Sequence, residues 1–542
     1  MAPGSGVFRK LILHPFLFAL YPVLALLSFN VSQTVFSDSL RSFAAALLLA
    51  LLLSLLFYPL AREWRTVGLL TSGTLVLFFS YGHVLSVLRG FALGPVLIGR
   101  TLVLLPLWGL IFFVFAWLVL RKWDARQVNS IFNLIGLVLL ILPMYTVSGY
   151  YLQAEMIRRS QKVQAPAGLL EQFKGEPPDV YYIILDMHAR TDVLQALYGY
   201  DNSWFIDALR QKGFYVAEQS ASNYSSTLQS IASSLNMDYI NYLQDTYGPG
   251  SSNRAPLGLL LKENQVFKLF AENGYQLGAF KSNDFYTEFR EVEHYVKPGE
   301  YEIRRYQSFW ALNSFEGILM QSTLLRVLYD LDIVSSEVVQ QKTLETPYDL
   351  HRLTILHTTE HLPDFARENG AFFVFAHIVS PHPPYVFGRN GEKILHDVAY
   401  SLSGPGRQNG GPEDIKLYVD QLQYIDSLIL QTVDEILARS DTPPIIIIQG
   451  DHGPVSYVGE GEVAKANMKE QHAILNAYYF PEGKYELLYP SVSPVNSFRI
   501  VFNTFFGASY PLLPDKSYFI PHARPFDFID VTERVQTDPL VP

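Results

Sequence analysis

Two apolar runs in the sequence end in side chains that are able to bind a metal ion. The run IIIIQG continues directly into Asp451 and His452, and the run YYIIL ends at Asp186. Aspartate carboxylates and histidine imidazoles suit zinc and manganese. These positions are therefore candidates for a divalent-metal site. Taken singly, Asp186 could instead cap a helix, which is the commoner role of an aspartate after a strand, and DHG could form a turn.

A cluster of hydroxyl side chains offers a nucleophile. The stretch NYSSTLQS places Ser225, Ser226 and Thr227 where a helix is expected to begin. A hydroxyl is a poor nucleophile until a metal ion or a base lowers its pKa. The N–H groups at a helix N-terminus also favour a phosphate. Thr227 could equally be a helix cap, a role for which Ser225 competes.

Three histidines follow the same pattern of polar residues beside apolar runs. His377 and His382 lie in HIVSPHPPY, and His472 precedes the run AILNAYYF. Histidines that face a phosphoryl group can donate hydrogen bonds to its oxygens or protonate a leaving alkoxide. Singly, His377 could be a core residue and His472 a surface residue. A metal, a hydroxyl and peripheral histidines together are what phosphoryl transfer through a covalent intermediate requires.

The elements that must position these residues form an α/β pattern. Short apolar runs alternate with longer amphipathic stretches. The predicted strands are 179–186, 213–217, 275–280, 371–378, 444–450 and 473–480. The predicted helices are 203–212, 256–272, 348–369 and 411–439. Nearly continuous apolar strands separated by helices indicate a mostly parallel sheet with helices on both faces. Ligands of such sheets bind beyond the carboxyl ends of the strands, where the candidate residues lie.

The first part of the chain reads as a membrane domain. Each of five apolar segments is close to the roughly 20 residues that a bilayer-spanning helix needs. They lie near 11–29, 42–60, 67–88, 101–120 and 131–150. Seven basic residues of the flanking segments fall on one side and three on the other, which places the N-terminus in the cytoplasm. An odd number of spans then places the remainder of the chain outside the cytoplasm, either periplasmic or extracellular.

The predicted domains are 1–150, a transmembrane domain of five helices; 151–178, an interfacial helix and linker; and 179–542, a catalytic domain. Residues 1–150 hold three acids and ten bases, whereas the whole chain of 542 residues has 51 acids and 41 bases. The large second part is therefore acidic, which argues against a nucleic-acid binder. The chain has no cysteine, which excludes disulfides and thiolate chemistry.

The ordered motifs IILD, NYSST, HIVSPHPPY, GDHG and QHAILNAYYFP resemble the alkaline phosphatase superfamily. More narrowly, they are similar to the sulfatase-type transferases with five N-terminal membrane helices, which include the lipoteichoic acid synthases and the lipid A phosphoethanolamine transferases. GDHG and SPHPPY are the most specific matches. The membrane half shares only the number of spans. The chain has no cysteine to form a formylglycine, and its S-x-P-x-R sequence, SGPGR at 403–407, falls in a predicted loop. A threonine nucleophile favours phosphorus chemistry, so sulfate-ester hydrolysis is disfavoured.

The resemblance implies a role for each matched residue. It implies a divalent ion, zinc or manganese, on Asp186, Asp451 and His452. Thr227 would be the nucleophile and a further metal ligand. The resemblance further implies that the phosphoryl group is contacted by the matching histidines His377, His382 and His472. Asp186 stands where those transferases typically have glutamate. His188 has no assigned role, and candidates for a second ion are His188, His377 and Asp426.

The resulting expectation is a multi-pass membrane enzyme with a sulfatase-like, metal-dependent domain outside the cytoplasm. It would move a phosphoryl-linked headgroup, of phosphoethanolamine or phosphoglycerol type, from a phospholipid donor to a cell-envelope glycan or lipid. A phospho-threonine would be the intermediate. Two alternatives stay open: a metal-dependent hydrolase on the same scaffold, such as a phosphodiesterase, and a non-catalytic envelope assembly protein.

Overall fold

A computed structural model of the chain describes residues 11–88, 91–93, 96–160, 177–299, 302–303, 313–330, 337–396, 400, 402, 411–455, 463 and 466–540. The chain forms two compact units. The first unit comprises Met1–Glu155 and Ser308–Gln341, and the second comprises Met156–Gln307 and Lys342–Pro542. Of the predicted linker 151–178, residues 161–176 lie outside the described residues. The predicted domain boundaries remain a prediction.

The α-helices are numbered in chain order. They are α1 (His14–Phe29), α2 (Phe36–Ala61), α3 (Trp64–Leu88), α4 (Thr101–Arg121), α5 (Ala125–Ser160), α6 (Thr191–Tyr198), α7 (Ser203–Gln211), α8 (Thr227–Asn236), α9 (Tyr242–Tyr247), α10 (Ala255–Lys262), α11 (Gln265–Glu272), α12 (Ser314–Ser322), α13 (Val327–Asp330), α14 (Glu337–His361), α15 (Pro412–Arg439), α16 (Met468–His472), α17 (Pro494–Phe505) and α18 (Thr532–Thr537).

The β-strands are likewise numbered in chain order. They are β1 (Ala92–Leu93), β2 (Val96–Leu97), β3 (Val180–Leu185), β4 (Tyr215–Val216), β5 (Gln276–Phe280), β6 (His294–Val296), β7 (Phe372–Ile378), β8 (Ile445–Gln449), β9 (Asn476–Tyr479), β10 (Tyr518–Phe519) and β11 (Ile529–Asp530). The pairs β1–β2 and β10–β11 are small antiparallel ribbons.

The first unit contains the apolar helices α1 to α4 and most of α5, and all five overlap the predicted segments. Helix α5 continues to Ser160, into the predicted linker. Four of the five helices, α2 to α5, are long and apolar enough to cross a membrane, and α1 is a shorter apolar helix of 16 residues. Small residues such as Ala19, Ala46 and Ala50 are buried in the contact among α1, α2 and α3. Small side chains let helix backbones approach closely in the absence of a hydrophobic driving force from water.

The second unit is built on a seven-stranded sheet with the order β4-β9-β8-β3-β7-β5-β6. Strands β8, β3, β7, β5 and β6 are mutually parallel, and β9 runs antiparallel between β8 and β4. The predicted fold class, an apolar helical part followed by a mostly parallel α/β part with helices on both faces, is confirmed. The six predicted strands are all present, whereas the short edge strand β6 was not predicted.

The continuous apolar character of the central strands follows from burial on both faces. Along β3, Tyr182 and Ile184 join one apolar core, whereas Tyr181 and Ile183 join the other. The four isoleucines of β8, Ile445–Ile448, divide between the same two cores in the same way. Side chains alternate between the faces of a strand, so a strand covered on both faces must be apolar at every position.

The helices cover both faces of this sheet, and two of their bounds differ from the prediction. The predicted helix 256–272 is divided into α10 and α11, because the Asn264 side chain accepts a hydrogen bond from the Phe267 N–H at 2.9 Å and so begins a new helix. The predicted helix 348–369 is α14, which begins earlier, at Glu337, and ends at His361 ahead of a 3₁₀ turn.

Candidate metal centre

Three neighbouring strands bring the predicted site residues to one edge of the sheet. Strand β3 lies between β8 and β7 and is parallel to both. Asp186 directly follows β3, His377 is near the end of β7, and Asp451 comes two residues after β8. Because parallel strands end at the same edge, these residues meet although they are far apart in sequence.

Asp186, Asp451 and His452 form a buried group whose ligand atoms all lie within 4.8 Å of one another. The His452 Nε2 atom is 3.8 Å from Asp186 Oδ1 and 3.5 Å from Asp451 Oδ2. Its Nδ1 atom is 2.8 Å from the Gly453 carbonyl oxygen. Since that oxygen can only accept, Nδ1 carries the proton, and Nε2 presents a lone pair to the two carboxylates.

This arrangement fits a divalent cation. Among the described residues, Asp186 Oδ1 and Asp451 Oδ2 are buried and have no hydrogen-bond partner. Burial, together with the negative charge of Asp451, raises the pKa of Asp186 above the usual value of an aspartate. Two oxygens and one imidazole nitrogen are a donor set for zinc or manganese, and ligand atoms around one tetrahedral zinc lie about 3.4 Å apart. The separations of 3.5 and 3.8 Å are close to that spacing.

Thr227 lies next to this group and is less buried than its three members. It is the first residue of α8, and its hydroxyl oxygen is 3.2 Å from His452 Nε2. The Thr227 side chain is half-buried, whereas the three metal-binding candidates are buried. Ser230, one turn further along α8, donates a hydrogen bond of 2.6 Å to the Asp451 carbonyl oxygen. The helix is thereby fixed against the loop that carries Asp451 and His452.

Ser225, the competing hydroxyl residue, has a different place in the structure. Its Oγ atom accepts a hydrogen bond from the Ile520 N–H at 2.9 Å, and its own N–H donates to the Tyr518 carbonyl oxygen at 3.2 Å. These contacts tie the loop before α8 to the ribbon strand β10. Of the hydroxyl residues at this helix start, Thr227 is therefore the one placed beside the candidate metal ligands.

His377 lies on the other side of Asp186. Its Nε2 atom is 3.4 Å from Asp186 Oδ2, and its Nδ1 atom is 2.7 Å from the Thr287 hydroxyl. Burial lowers the pKa of His377, but the nearby carboxylates, first of all Asp186, more than offset this and raise the pKa above its usual value. His377 therefore contacts the candidate metal site through the Asp186 carboxylate.

Thr287 and Asp284 are site residues that the sequence analysis missed. Thr287 contacts His377, and Asp284 contributes to the negative charge that His377 experiences. Both follow β5, which neighbours β7. A sequence pattern that points to this region does exist. The predicted strand 275–280 continues into KSND, which is a polar run at a strand end like those at Asp186 and Asp451.

The two remaining predicted histidines are held by main-chain groups. The His382 N–H donates to the Asp186 carbonyl oxygen at 3.1 Å, so the SPHPPY loop is attached to the end of β3. The ring nitrogens of the buried His472 lie 2.9 Å from the Met468 carbonyl oxygen and 3.3 Å from that of Tyr518. Burial lowers the pKa of His472 to about 4, so this ring is neutral near pH 7. Their contact with a phosphoryl group remains a prediction.

The glycines of the GDHG motif are required by close packing. A Cβ atom on Gly453 would lie 1.9 Å from the Glu470 carbonyl oxygen, and one on Gly450 would lie 2.6 Å from that of His188. Both neighbours are main-chain atoms, which cannot rotate away. The two glycines therefore let the Asp451–His452 loop approach the chain segments that carry His188 and His472.

Replacing Gly453 by alanine is expected to destabilise the second unit by about 3 kcal/mol, at the upper end of overpacking effects, because the main chain itself must move. Urea unfolding of the full-length chain, monitored through the second unit, measures the change. Gly411→Ala is the matched control, because a Cβ atom at Gly411 has no neighbour within 4 Å. Equal midpoints for both variants would show that the close approach at Gly453 is not required.

His188, two residues after Asp186, forms a fully buried pair with Asp426. His188 Nε2 lies 2.8 Å from Asp426 Oδ1, and its Nδ1 lies 3.0 Å from the Ala189 carbonyl oxygen. Asp426 belongs to α15. Between Asp186 and His188, Met187 has a positive φ of 64° and donates its N–H to Asp451 Oδ1 at 3.1 Å. The pair thus holds His188 in place directly after Met187, which donates to Asp451. That His188 or Asp426 binds a second ion remains a prediction.

Replacing Asp426 by alanine is expected to destabilise the second unit by about 3 kcal/mol or more, because His188 is left buried without its partner. Asp426→Asn keeps an acceptor for His188 and should lose less. Asp207→Ala, which removes an exposed aspartate paired with Arg210, is the control and should change stability by about 0.5 kcal/mol or less. Equal losses at positions 426 and 207, measured by the same urea titration, would refute a structural role for the pair.

The fold and the site together define a class of protein: a chain with apolar helices and a mostly parallel α/β unit, whose strand ends carry a buried Asp, Asp and His group beside a threonine at a helix start. No family model matches the chain, and no curated protein matches it.

Several solved structures are similar to the chain. The C-terminal periplasmic domain of EcEptC from Escherichia coli, in complex with zinc, has a TM-score of 0.42 at 11% identity, covering 67% of this chain and 94% of that chain. The integral membrane protein lipooligosaccharide phosphoethanolamine transferase A from Neisseria meningitidis has 0.37 at 12%, covering 92% and 95%. The lipoteichoic acid synthase LtaP from Listeria monocytogenes has 0.36 at 12%, covering 62% and 73%.

Proposed function

We propose that this chain is a metal-dependent membrane phosphotransferase that moves a phosphoryl-linked headgroup, of phosphoethanolamine or phosphoglycerol type, from a phospholipid to a glycan or lipid of the cell envelope. The observation that carries the proposal is the position of Thr227. Its hydroxyl lies 3.2 Å from His452 Nε2, next to two buried carboxylates that have unpartnered oxygens among the described residues. A hydroxyl that could act as the nucleophile and a group that could hold an ion are thereby adjacent at the start of a helix.

Each residue of the site has a proposed role in the reaction. Asp186, Asp451 and His452 would hold one divalent ion, zinc or manganese, which lowers the pKa of a neighbouring hydroxyl and screens phosphoryl charge. The Thr227 oxygen attacks the donor phosphorus and loses its proton, and the bond from phosphorus to the lipid oxygen breaks. That oxygen takes up a proton and leaves as diacylglycerol, so that a threonine carrying the phosphoryl-linked headgroup remains. The N–H groups in the first turn of α8 would donate hydrogen bonds to a phosphoryl group bound at Thr227. An acceptor hydroxyl then attacks the same phosphorus and releases Thr227.

The proposed location is a membrane with the second unit outside the cytoplasm. Four helices are long and apolar enough to span a bilayer, and the basic residues concentrate at one set of their ends. Arg62 follows α2, and Arg121 ends α4, so both belong to the side that is proposed to be cytoplasmic. A membrane anchor holds the site near the headgroup plane, where a lipid donor is already concentrated.

A covalent-adduct experiment tests this function. Full-length protein in nanodiscs, loaded with zinc or manganese, is incubated with phosphatidylethanolamine or phosphatidylglycerol, quenched in acid and digested. We expect diacylglycerol release and a peptide in which Thr227 carries the phosphoryl-linked headgroup. Adding an envelope glycan or lipid should discharge the adduct into a new product. Discharge into water alone would establish a phosphodiesterase, and absence of both adduct and diacylglycerol would count against a catalytic role.

A further inference from the structure

A short segment from the middle of the chain belongs to the first unit. Residues 313–330 follow β6 and precede β7 in sequence, yet they pack with the apolar helices. Helix α12 begins with a complete capping box, in which the Asn313 side chain accepts from the Glu316 N–H at 2.8 Å and Glu316 accepts from the Asn313 N–H at 3.0 Å. Its start is therefore well defined.

Polar contacts attach this segment to the ends of the apolar helices. Glu316 forms an ion pair of 2.9 Å with Arg41, and Asn313 donates to the Asp38 carbonyl oxygen at 2.9 Å. Both partners belong to the first turns of α2. Further along, Arg326 donates to the Ser86 hydroxyl at 3.1 Å, in the last turn of α3. The segment therefore lies at one set of helix ends.

Close packing accompanies these polar contacts. A Cβ atom on Gly82 of α3 would lie 2.2 Å from the Gln321 carbonyl oxygen, so the two main chains are in direct contact. Phe315 joins the apolar core of α1, α2 and α3, and Val327 packs with Tyr81 and Leu85. Tyr81 precedes the end of α3 at Leu88 by seven residues, which corresponds to about 10 Å of helix. The segment therefore packs along the last two turns of α3, close to the helix end, where an element at a bilayer surface would lie.

Three apolar side chains of the segment are exposed. Ile318, Leu325 and Leu328 are 49%, 41% and 40% exposed. Thr323, which has an extended backbone, divides the segment into α12, a 3₁₀ turn at Leu324–Arg326 and α13, and each of these pieces exposes one of the three side chains. Exposed apolar side chains of the spanning helices occur at the same helix ends, among them Leu40 and Leu102 at 52% and 74%. Exposed apolar side chains therefore occur both on the segment and on the helix ends that it contacts.

We propose that residues 313–330 are a membrane-surface segment, whose exposed side chains Ile318, Leu325 and Leu328 contact the phospholipid bilayer at the boundary between headgroups and acyl chains. This inference rests on the proposed membrane location. The segment provides a second attachment of the α/β unit to the bilayer, in addition to the covalent connection through α5. Its effect is to keep the site close to donors that are embedded in the membrane.

Single-cysteine labelling tests the contact directly, because the natural chain contains no cysteine. Ile318→Cys and Leu325→Cys, labelled with bimane in nanodiscs that contain nitroxide lipids, report contact with lipid. Leu487→Cys in the second unit is the matched control, because Leu487 is 40% exposed, close to Leu325. Leu56→Cys, 68% exposed on α2, gives the signal of a bilayer position.

We expect lipid nitroxides to quench positions 318 and 325 roughly twofold or more over position 487, as for side chains of an interfacial helix. Quenching by aqueous iodide should show the opposite order. Labels at 318 and 325 that iodide quenches as strongly as at 487 would overturn the proposal. Labels that neither quencher reaches would also overturn it, because a protein surface would then cover these positions.

The functional consequence is tested with two donors. Ile318→Glu combined with Leu325→Glu should lower turnover of a bilayer phospholipid by about tenfold, because the effective concentration of the site at the membrane falls. Turnover of soluble bis(p-nitrophenyl) phosphate should stay within about twofold of the natural chain. Equal losses on both donors would refute the tethering role. If the natural chain turns over neither donor, the proposed function fails, whereas the quenching result still decides whether the segment contacts lipid.

Discussion

Replacing Thr227 by alanine is expected to abolish both adduct formation and donor turnover, with a loss of roughly 10³-fold or more, because the variant lacks the attacking oxygen. The Thr227 hydroxyl is the one at this helix start that lies beside His452. Thr227→Ser restores a hydroxyl at the same position and should keep a substantial part of the activity. Diacylglycerol release from labelled phospholipid in nanodiscs measures all variants.

Ser226→Ala provides the matched control for Thr227→Ala. Ser226 is the residue before α8 and its side chain makes no capping hydrogen bond, so its removal deletes a hydroxyl one position away from Thr227. We expect its activity to stay within about threefold of the natural chain, since a surface-type substitution without partners has little effect. Full activity of Thr227→Ala, or a greater loss at Ser226 than at Thr227, would exclude Thr227 as the nucleophile.

Replacing Asp451 by asparagine is expected to have opposite effects on the metal-free and the metal-loaded protein. The asparagine carbonyl oxygen can still accept from the Met187 N–H, but one of two neighbouring buried negative charges is removed. The chelated variant should therefore be more stable than the chelated natural chain, by roughly 1 kcal/mol. The loaded variant should bind zinc or manganese roughly 10³-fold more weakly, because one ligand is lost.

Thermal unfolding with and without metal measures both effects. At a free metal concentration of about 100 times the dissociation constant, the natural chain should gain about 2.7 kcal/mol, and Asp451→Asn should gain close to none. Asp207→Asn is the control, because Asp207 is an exposed aspartate of the same unit and should leave the metal response intact. An equal metal response in the natural chain and Asp451→Asn would remove Asp451 from the ligand set. A chelated variant less stable than the natural chain would contradict the repulsion between the two carboxylates.

The central sheet and three of the strand-end residues could be predicted because local patterns encode them. Strands β3 and β8 are buried on both faces, so their sequences must be apolar throughout, and an acid at the end of such a run stands out. Asp186, Asp451 and His452 were found in this way, and the structure brings them together. Hydrophobic patterning and the carboxyl-end rule need no knowledge of contacts between distant segments.

Only the tertiary structure distinguishes residues that have the same type and a similar local sequence. Ser225 and Thr227 are both hydroxyl residues before a helix, but one supports β10 and the other faces His452. His188 resembles a ligand in sequence, yet α15 supplies Asp426 as its buried partner from 238 positions away. Such pairings depend on which elements pack together. The hydrophobic periodicity of a single helix or strand does not indicate them.

The sequence by itself determined the apolar helices, the parallel α/β class and the strand ends where a metal ion would bind, because each follows from the order of polar and apolar residues along one element. The fold alone decided that residues 313–330 belong with the apolar helices, although their neighbours in sequence belong to the α/β unit. It also decided which hydroxyl lies beside the metal-binding group. Both depend on contacts between segments far apart in the chain, which are set by packing and are not visible in local sequence.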